Sequence, residues 1–124
     1  FPHLSVAGNL AFGLRRTQRS RKTRARAIAE GLSSFGLAGF EGRDPATLSG
    51  GQRTRIALLR TILSQPRALL LDEPFAHLDP DTRSTVRQLV IEEVKHRTLP
   101  TLLVTHDEQD VRVADGPIIR LSRP

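Results

Sequence analysis

The chain has 124 residues and a formal charge of +6, with 9 glycines, 8 prolines, no cysteine and no methionine. That length suits one small domain, the lack of cysteine excludes disulfides and thiolate metal sites, and no run approaches the ~20 apolar residues that span a bilayer. The opening Phe1-Pro2-His3-Leu4 lacks the basic, apolar and small-residue order of a secretory signal, which points to the cytoplasm, and the missing methionine points to a chain processed or cut from something longer.

The basicity is local. Seven of the 19 basic residues, Arg15, Arg16, Arg19, Arg21, Lys22, Arg24 and Arg26, form one tract with no acidic residue before Glu30, and without them the two signs nearly cancel. Such a tract can grip phosphates by counterion release. No aromatic residue is interleaved to stack on bases, so a solvated helix face is the favoured reading and no nucleic-acid partner is expected.

In chain order, Ser5 is placed to cap a short helix through Val6, Leu10 and Ala11, a weak one because Gly8 stands where a capping box wants Glu or Gln. Beyond the basic tract, Ala25, Ile28, Ala29, Leu32 and Phe35 recur at helical spacing, and Gly36 can close that helix. Residues 38–47, with Gly39, Gly42 and Pro45, read as a loop. Ser49 and Gln52 then form a capping box ahead of a helix whose buried stripe is Ile56, Leu59, Ile62 and Leu63, and Pro66 stops it.

The run 68–71 is apolar without alternation, which predicts a strand buried on both faces in a parallel sheet, with Asp72 and Glu73 at its C-terminal end. Asp79-Pro80 opens the next helix, whose core face is Val86, Leu89, Val90 and Val94, and Pro100 ends that connection. Residues 101–105 predict a second buried strand, followed by His106 and an acidic helix start at Asp107, Glu108 and Asp110. A third short strand is expected at Ile118-Ile119. The second half is therefore α/β with right-handed crossovers, and the first half a helical lobe.

Ligands of open α/β sheets bind beyond the C-terminal strand ends. Strand alternation sends the Asp72 and Glu73 side chains different ways, so that Asp72 can hold Mg²⁺ while Glu73 orients or deprotonates a water; the plain alternative is that they cap the next turn. At Ser49-Gly50-Gly51-Gln52 two glycines open a helix whose free amides and dipole favour a phosphate, with Arg53 and Arg55 nearby, although a tight turn would use the same residues.

Taken together, Leu48-Ser49-Gly50-Gly51-Gln52, Leu69-Leu70-Leu71-Asp72-Glu73-Pro74, Leu78-Asp79 and Thr105-His106-Asp107 follow the order and spacing of the ATP-binding cassette (ABC) ATPases. Over essentially its whole length the chain resembles the nucleotide-binding subunit of a bacterial ABC transporter. The resemblance implies that Ser49, Gly50, Gly51 and Gln52 are the signature that meets ATP held by the opposite subunit of a head-to-tail dimer. It implies further that Asp72 is the Walker B aspartate supporting Mg²⁺, Glu73 the glutamate activating water, His106 the switch histidine on the γ-phosphate, and Asp79 the D-loop residue signalling across the dimer.

The fold implied is a partial P-loop NTPase: a helical-subdomain portion at 1–48, the signature and its helix at 49–66, and a core portion with an incomplete parallel sheet at 67–124. Implied partners are transmembrane permease subunits, a second ATP-binding subunit and a solute-binding protein, at the cytoplasmic face of the membrane. Thr54, His77 and Gly116-Pro117 depart from the family pattern without removing a catalytic group. The chain contains no Gly-x-x-x-x-Gly-Lys followed by Ser or Thr, the P-loop that holds the β- and γ-phosphates, and no adenine-stacking aromatic or Q-loop glutamine. It thus reads as the later half of a cassette, inactive by itself. A DNA-associated ABC ATPase and a non-catalytic remnant are the competing readings.

Overall fold

The computed structural model describes residues 1–14 and 20–121, so Arg15, Arg16 and Arg19 of the basic tract lie outside the described residues. The elements are α1 (Val6–Leu14), α2 (Arg21–Ser34), a 3₁₀ turn (Pro45–Thr47), α3 (Gly50–Leu63), β1 (Leu69–Asp72), α4 (Pro80–Arg97), β2 (Thr101–Val104) and α5 (Glu108–Ala114).

Helix α1 is better anchored than its cap alone suggests. Ser5 Oγ accepts from the Gly8 N–H at 3.2 Å, and buried Asn9 donates Nδ2 to the Leu4 and Ser5 carbonyls, both at 3.1 Å. Val6 and Leu10 are completely buried. Gly13 lets α1 lie directly on α3, because a Cβ there would stand 2.8 Å from the Arg60 carbonyl oxygen. In α2, Ser20 caps the start, and Ile28, Leu32 and Phe35 face the core while Ala25 and Ala29 face solvent; Gly36 follows at φ +67°. The described basic residues of this helix, Arg21, Lys22, Arg24 and Arg26, point outward, Arg24 less fully than the others.

The capping box at α3 forms in full: Ser49 Oγ accepts from the Gln52 N–H at 3.2 Å and Gln52 Oε1 from the Ser49 N–H at 2.9 Å. Ile56, Leu58 and Leu59 carry its burial, with Ile62 and Leu63 at the margin. One continuous apolar core runs from Val6, Leu10 and Leu14 through Leu32 and Leu59 to Leu69, Leu71, Phe75, Leu78, Val86 and Val90.

β1 and β2 pair in parallel with Leu69 opposite Thr101 and Asp72 opposite Val104, and α4 is the crossover between them. Both strands were expected to be covered on two faces; only one face is. Leu69 and Leu71 are buried, whereas Leu70, Leu102 and Val104 are 80%, 57% and 47% exposed, because no helix of the described residues packs over that side. The expected strand at Ile118-Ile119 is absent: both residues are exposed coil, and although each strand of the two-stranded sheet keeps an open edge, this two-residue run beside Pro117, which has no N–H to give, pairs with neither. α4 buries Val86, Val90 and Ile91, with Leu89 and Val94 partly covered, and it also buries Arg87, a charged residue in line with Val90, Ile91 and Val94 at helical spacing.

Candidate functional site

Because β1 and β2 are parallel neighbours in register, the segments that follow them leave the same end of the sheet. β1 ends with Asp72, which is exposed, and the next residue turns sharply: Glu73 has φ +44°, a left-handed backbone that costs a non-glycine residue about 1–2 kcal/mol. Its N–H donates to the Val104 carbonyl at 2.8 Å, so the turn is tied to β2 while the side chain swings towards the segment after β2. There Glu73 Oε1 lies 2.6 Å from His106 Nδ1, across 33 positions of sequence. The Glu73 carboxylate raises the His106 pKa, first by accepting its hydrogen bond and then by charge, with smaller contributions from Asp107 and Asp110.

The His106 side chain is otherwise exposed, and the residues on either side of it are fixed. Asp107 caps α5 by accepting from the Gln109 N–H at 2.8 Å, and that bond keeps its carboxyl below the ordinary range, helped by Arg87 and Arg83. The Asp107 N–H donates to Thr105 Oγ1 at 3.0 Å, and Thr105 Oγ1 donates to Asp110 Oδ2 at 2.7 Å. Asp110 is almost fully buried and pairs with equally buried Arg87, Nε to Oδ1 at 2.6 Å. A lone charge at either place would be prohibitive; paired and hydrogen-bonded, each satisfies the other. Sequence reasoning passed over Arg83 and Arg87, for which the available signal was two arginines four apart, opposite the Asp107 and Asp110 pair.

Glu73, Phe75, Ala76, Arg83, His106, Asp107 and Asp110 line a cleft of about 80 Å³. That volume suits water, well short of the ~300 Å³ where small-molecule pockets begin. Asp79 caps α4 through the Thr82 N–H at 3.0 Å, and that bond lowers its pKa. At the signature, the Gly50 and Gly51 N–H groups have no acceptor among the described residues, and a Cβ on Gly51 would lie 3.4 Å from the His77 carbonyl oxygen, so the start of α3 is seated against residues 77–78. Gly50 faces open space. Arg55 Nη1 donates to the Phe35 carbonyl at 2.9 Å, closing α2, and its charge makes a small contribution to lowering the Asp79 pKa. Among the described residues no hydrogen bond or ion pair joins the signature to Glu73 or His106, nor do three His, Cys, Asp or Glu side chains form a metal cluster. One exposed carboxylate at a strand end does suit Mg²⁺, which keeps several waters and takes one or two carboxylates plus phosphate oxygens.

The family model described as ABC transporter matches residues 1–76. The chain is 46% identical over 123 residues to the uncharacterized ABC transporter ATP-binding protein YnjD of Escherichia coli (strain K12), covering 99% of this chain and 56% of that protein. It is 40% identical to the thiamine import ATP-binding protein ThiQ of Rhizobium meliloti (strain 1021), covering 99% of this chain and 52% of that one. It therefore spans about half the length of these relatives. The dimeric structure of MJ0796, a bacterial ABC transporter cassette, superposes with a TM-score of 0.81 at 29% identity over 91% of this chain and 50% of that one, and its post-hydrolysis form bound to ADP and Pi with 0.78. The ordered motifs, the Glu73–His106 pair at the shared sheet end and these matches agree: the chain belongs to the ABC transporter ATP-binding family, of whose cassette it forms a part.

Proposed function

We propose that this chain is the signature, Walker B, D-loop and switch-histidine part of an ATP-hydrolysing subunit that drives a bacterial importer. The observation that carries the reading is the Glu73–His106 contact beside Asp72, at the C-terminal end of the strands, where open α/β sheets bind their ligands. Glu73 accepts a proton from, or orients, the attacking water, and His106 holds Glu73 in place and reaches the γ-phosphate. Asp72 would hold Mg²⁺, which supplies charge neutralisation on the phosphates when bound. Ser49 and the free amides of Gly50 and Gly51, with Gln52 fixing the cap, face an ATP bound by a second ATP-binding subunit, and Asp79 reports across that dimer. The dimeric MJ0796 cassette and the import role in the name of ThiQ support a paired subunit of an import system; its further partners in this reading are permease subunits and a solute-binding protein, at the cytoplasmic face. No helix among the described residues is long and apolar enough to cross a membrane.

By itself the chain has no P-loop, so the 124 residues release no phosphate from ATP. In a cassette that carries this segment behind a P-loop half, Glu73→Gln abolishes steady-state phosphate release, a loss of at least about 10²-fold, while ATP binding persists. Turnover at the unmodified rate in that variant would reject the assignment of Glu73.

A further inference from the structure

Two segments of the site, 75–79 and 105–110, are far apart in sequence; Arg87 lies over the Phe75 ring at 5.9 Å and meets the second segment by charge, and Arg83 hydrogen-bonds to both. Arg83, in the first turn of α4, donates Nη2 to the Leu78 carbonyl at 2.9 Å and lies 3.5 Å from that of Ala76, while its Nη1 reaches Asp107 Oδ2 at 3.4 Å. Arg87, one turn on, meets the same Asp107 oxygen at 3.4 Å and anchors Asp110 and Gln109, the latter at 3.2 Å. The guanidinium fork is planar and rigid, so the atoms it holds on its two prongs share one frame of reference. Arg83 Nε is buried with no partner of its own, which leaves the two terminal nitrogens as its fixed points.

We propose that Arg83 is a positioning residue that locks the D-loop to the switch segment, so that Asp79 and His106 are displaced together and not independently. The bidentate geometry carries this: one prong on backbone carbonyls of 76–78, the other on the side chain that caps α5 immediately after His106. Arg87 serves as the buried post on which the switch side of the lock rests. In the cassette reading, on which the consequence for turnover rests, an approach of the second subunit at Asp79 is thereby felt at the water-activating pair. The lock itself is a property of this chain alone.

The test is amide hydrogen exchange on the chain as it stands, followed residue by residue in the unmodified protein, Arg83→Gln and Asp107→Asn. Asn remains a good N-cap, so Asp107→Asn keeps α5 while removing the ion pair. The expected result is that Asp107→Asn speeds exchange of the Ala76 and Leu78 amides about three- to tenfold, although Asp107 touches neither, and that Arg83→Gln speeds Gln109 and Val111 to the same degree. Exchange in α1 and α3 stays unchanged in both, which excludes general unfolding. Acceleration confined to the mutated side in each variant overturns the proposal. In a P-loop-completed cassette, Arg83→Gln lowers kcat with KM for ATP unchanged. An inactive cassette with coupled exchange would reject the ATPase reading and leave the lock intact, whereas uncoupled exchange with normal turnover would reject the lock alone.

Discussion

The helical half and the sheet half of this chain treat their apolar residues differently. In α1, α2 and α3 most large apolar side chains interlock, with Leu10, Leu14, Leu32 and Leu59 buried and Gly13 and Gly31 admitting a neighbouring helix, while Phe12 stays exposed. Around β1 and β2 one face joins that core and the other stays open at Leu70, Leu102 and Val104. Yet the denser polar bonding belongs to the sheet half, where Arg83, Arg87, Thr105, Asp107 and Asp110 form one network. The helices are thus held by packing, and the site is held by charge at the end of a half-covered sheet.

The sharpest way to break that contrast is at the buried ion pair. Arg87→Met leaves Asp110 as a buried carboxylate with only Thr105 to answer it, and should cost about 3–5 kcal/mol in urea unfolding. Adding Asp110→Leu should return much of that loss, because the pair is then replaced by apolar groups of similar size. A single variant as stable as the unmodified chain would show that charge does not hold the site half together.

A second comparison sets the two apolar environments against each other. Leu59→Ala, in the helical core and beside the Gly31 contact, should destabilise by about 2–5 kcal/mol, while Leu70→Ser on the open sheet face should change stability by less than about 0.5 kcal/mol. Equal losses at both positions would mean that the open face is covered in solution, and light scattering on the Leu70→Ser chain would then report a change of association state.

The helices and the motif positions were legible in the residues because the signals there are local: Ser49 with Gln52, Asp79 before Pro80, Gly36 after the α2 stripe. Asp72, Glu73 and His106 were legible from their place after apolar runs. What sequence could not carry was anything decided by a distant partner. Buried Arg87 is answered by Asp110, 23 positions on, and nothing in the run 69–72 tells that one face lacks a covering helix. Ile118-Ile119 has the composition of a strand, yet it stays exposed coil although both strands keep an open edge; two residues beside a proline are too short a run to pair.

The smallest effect concerns the exposed end of the network. His106 is raised above its ordinary pKa of ~6.5 by Glu73, so the Glu73–His106 contact contributes fully below that value and is lost as pH rises through the raised one. Asp79 and Asp107 act with the opposite sign: their lowered pKa values mean that their caps contribute above the ordinary carboxylate range and fail as pH falls through the lowered values. The site is therefore fully bonded in mildly acidic solution, between the two limits. Following the His106 ring proton by NMR should give a titration midpoint above ~6.5, which Glu73→Gln moves down by removing the charge and leaving only a neutral amide oxygen as acceptor. A midpoint indifferent to Glu73→Gln would mean that the two side chains do not meet, and with it would go the observation on which the catalytic assignment rests.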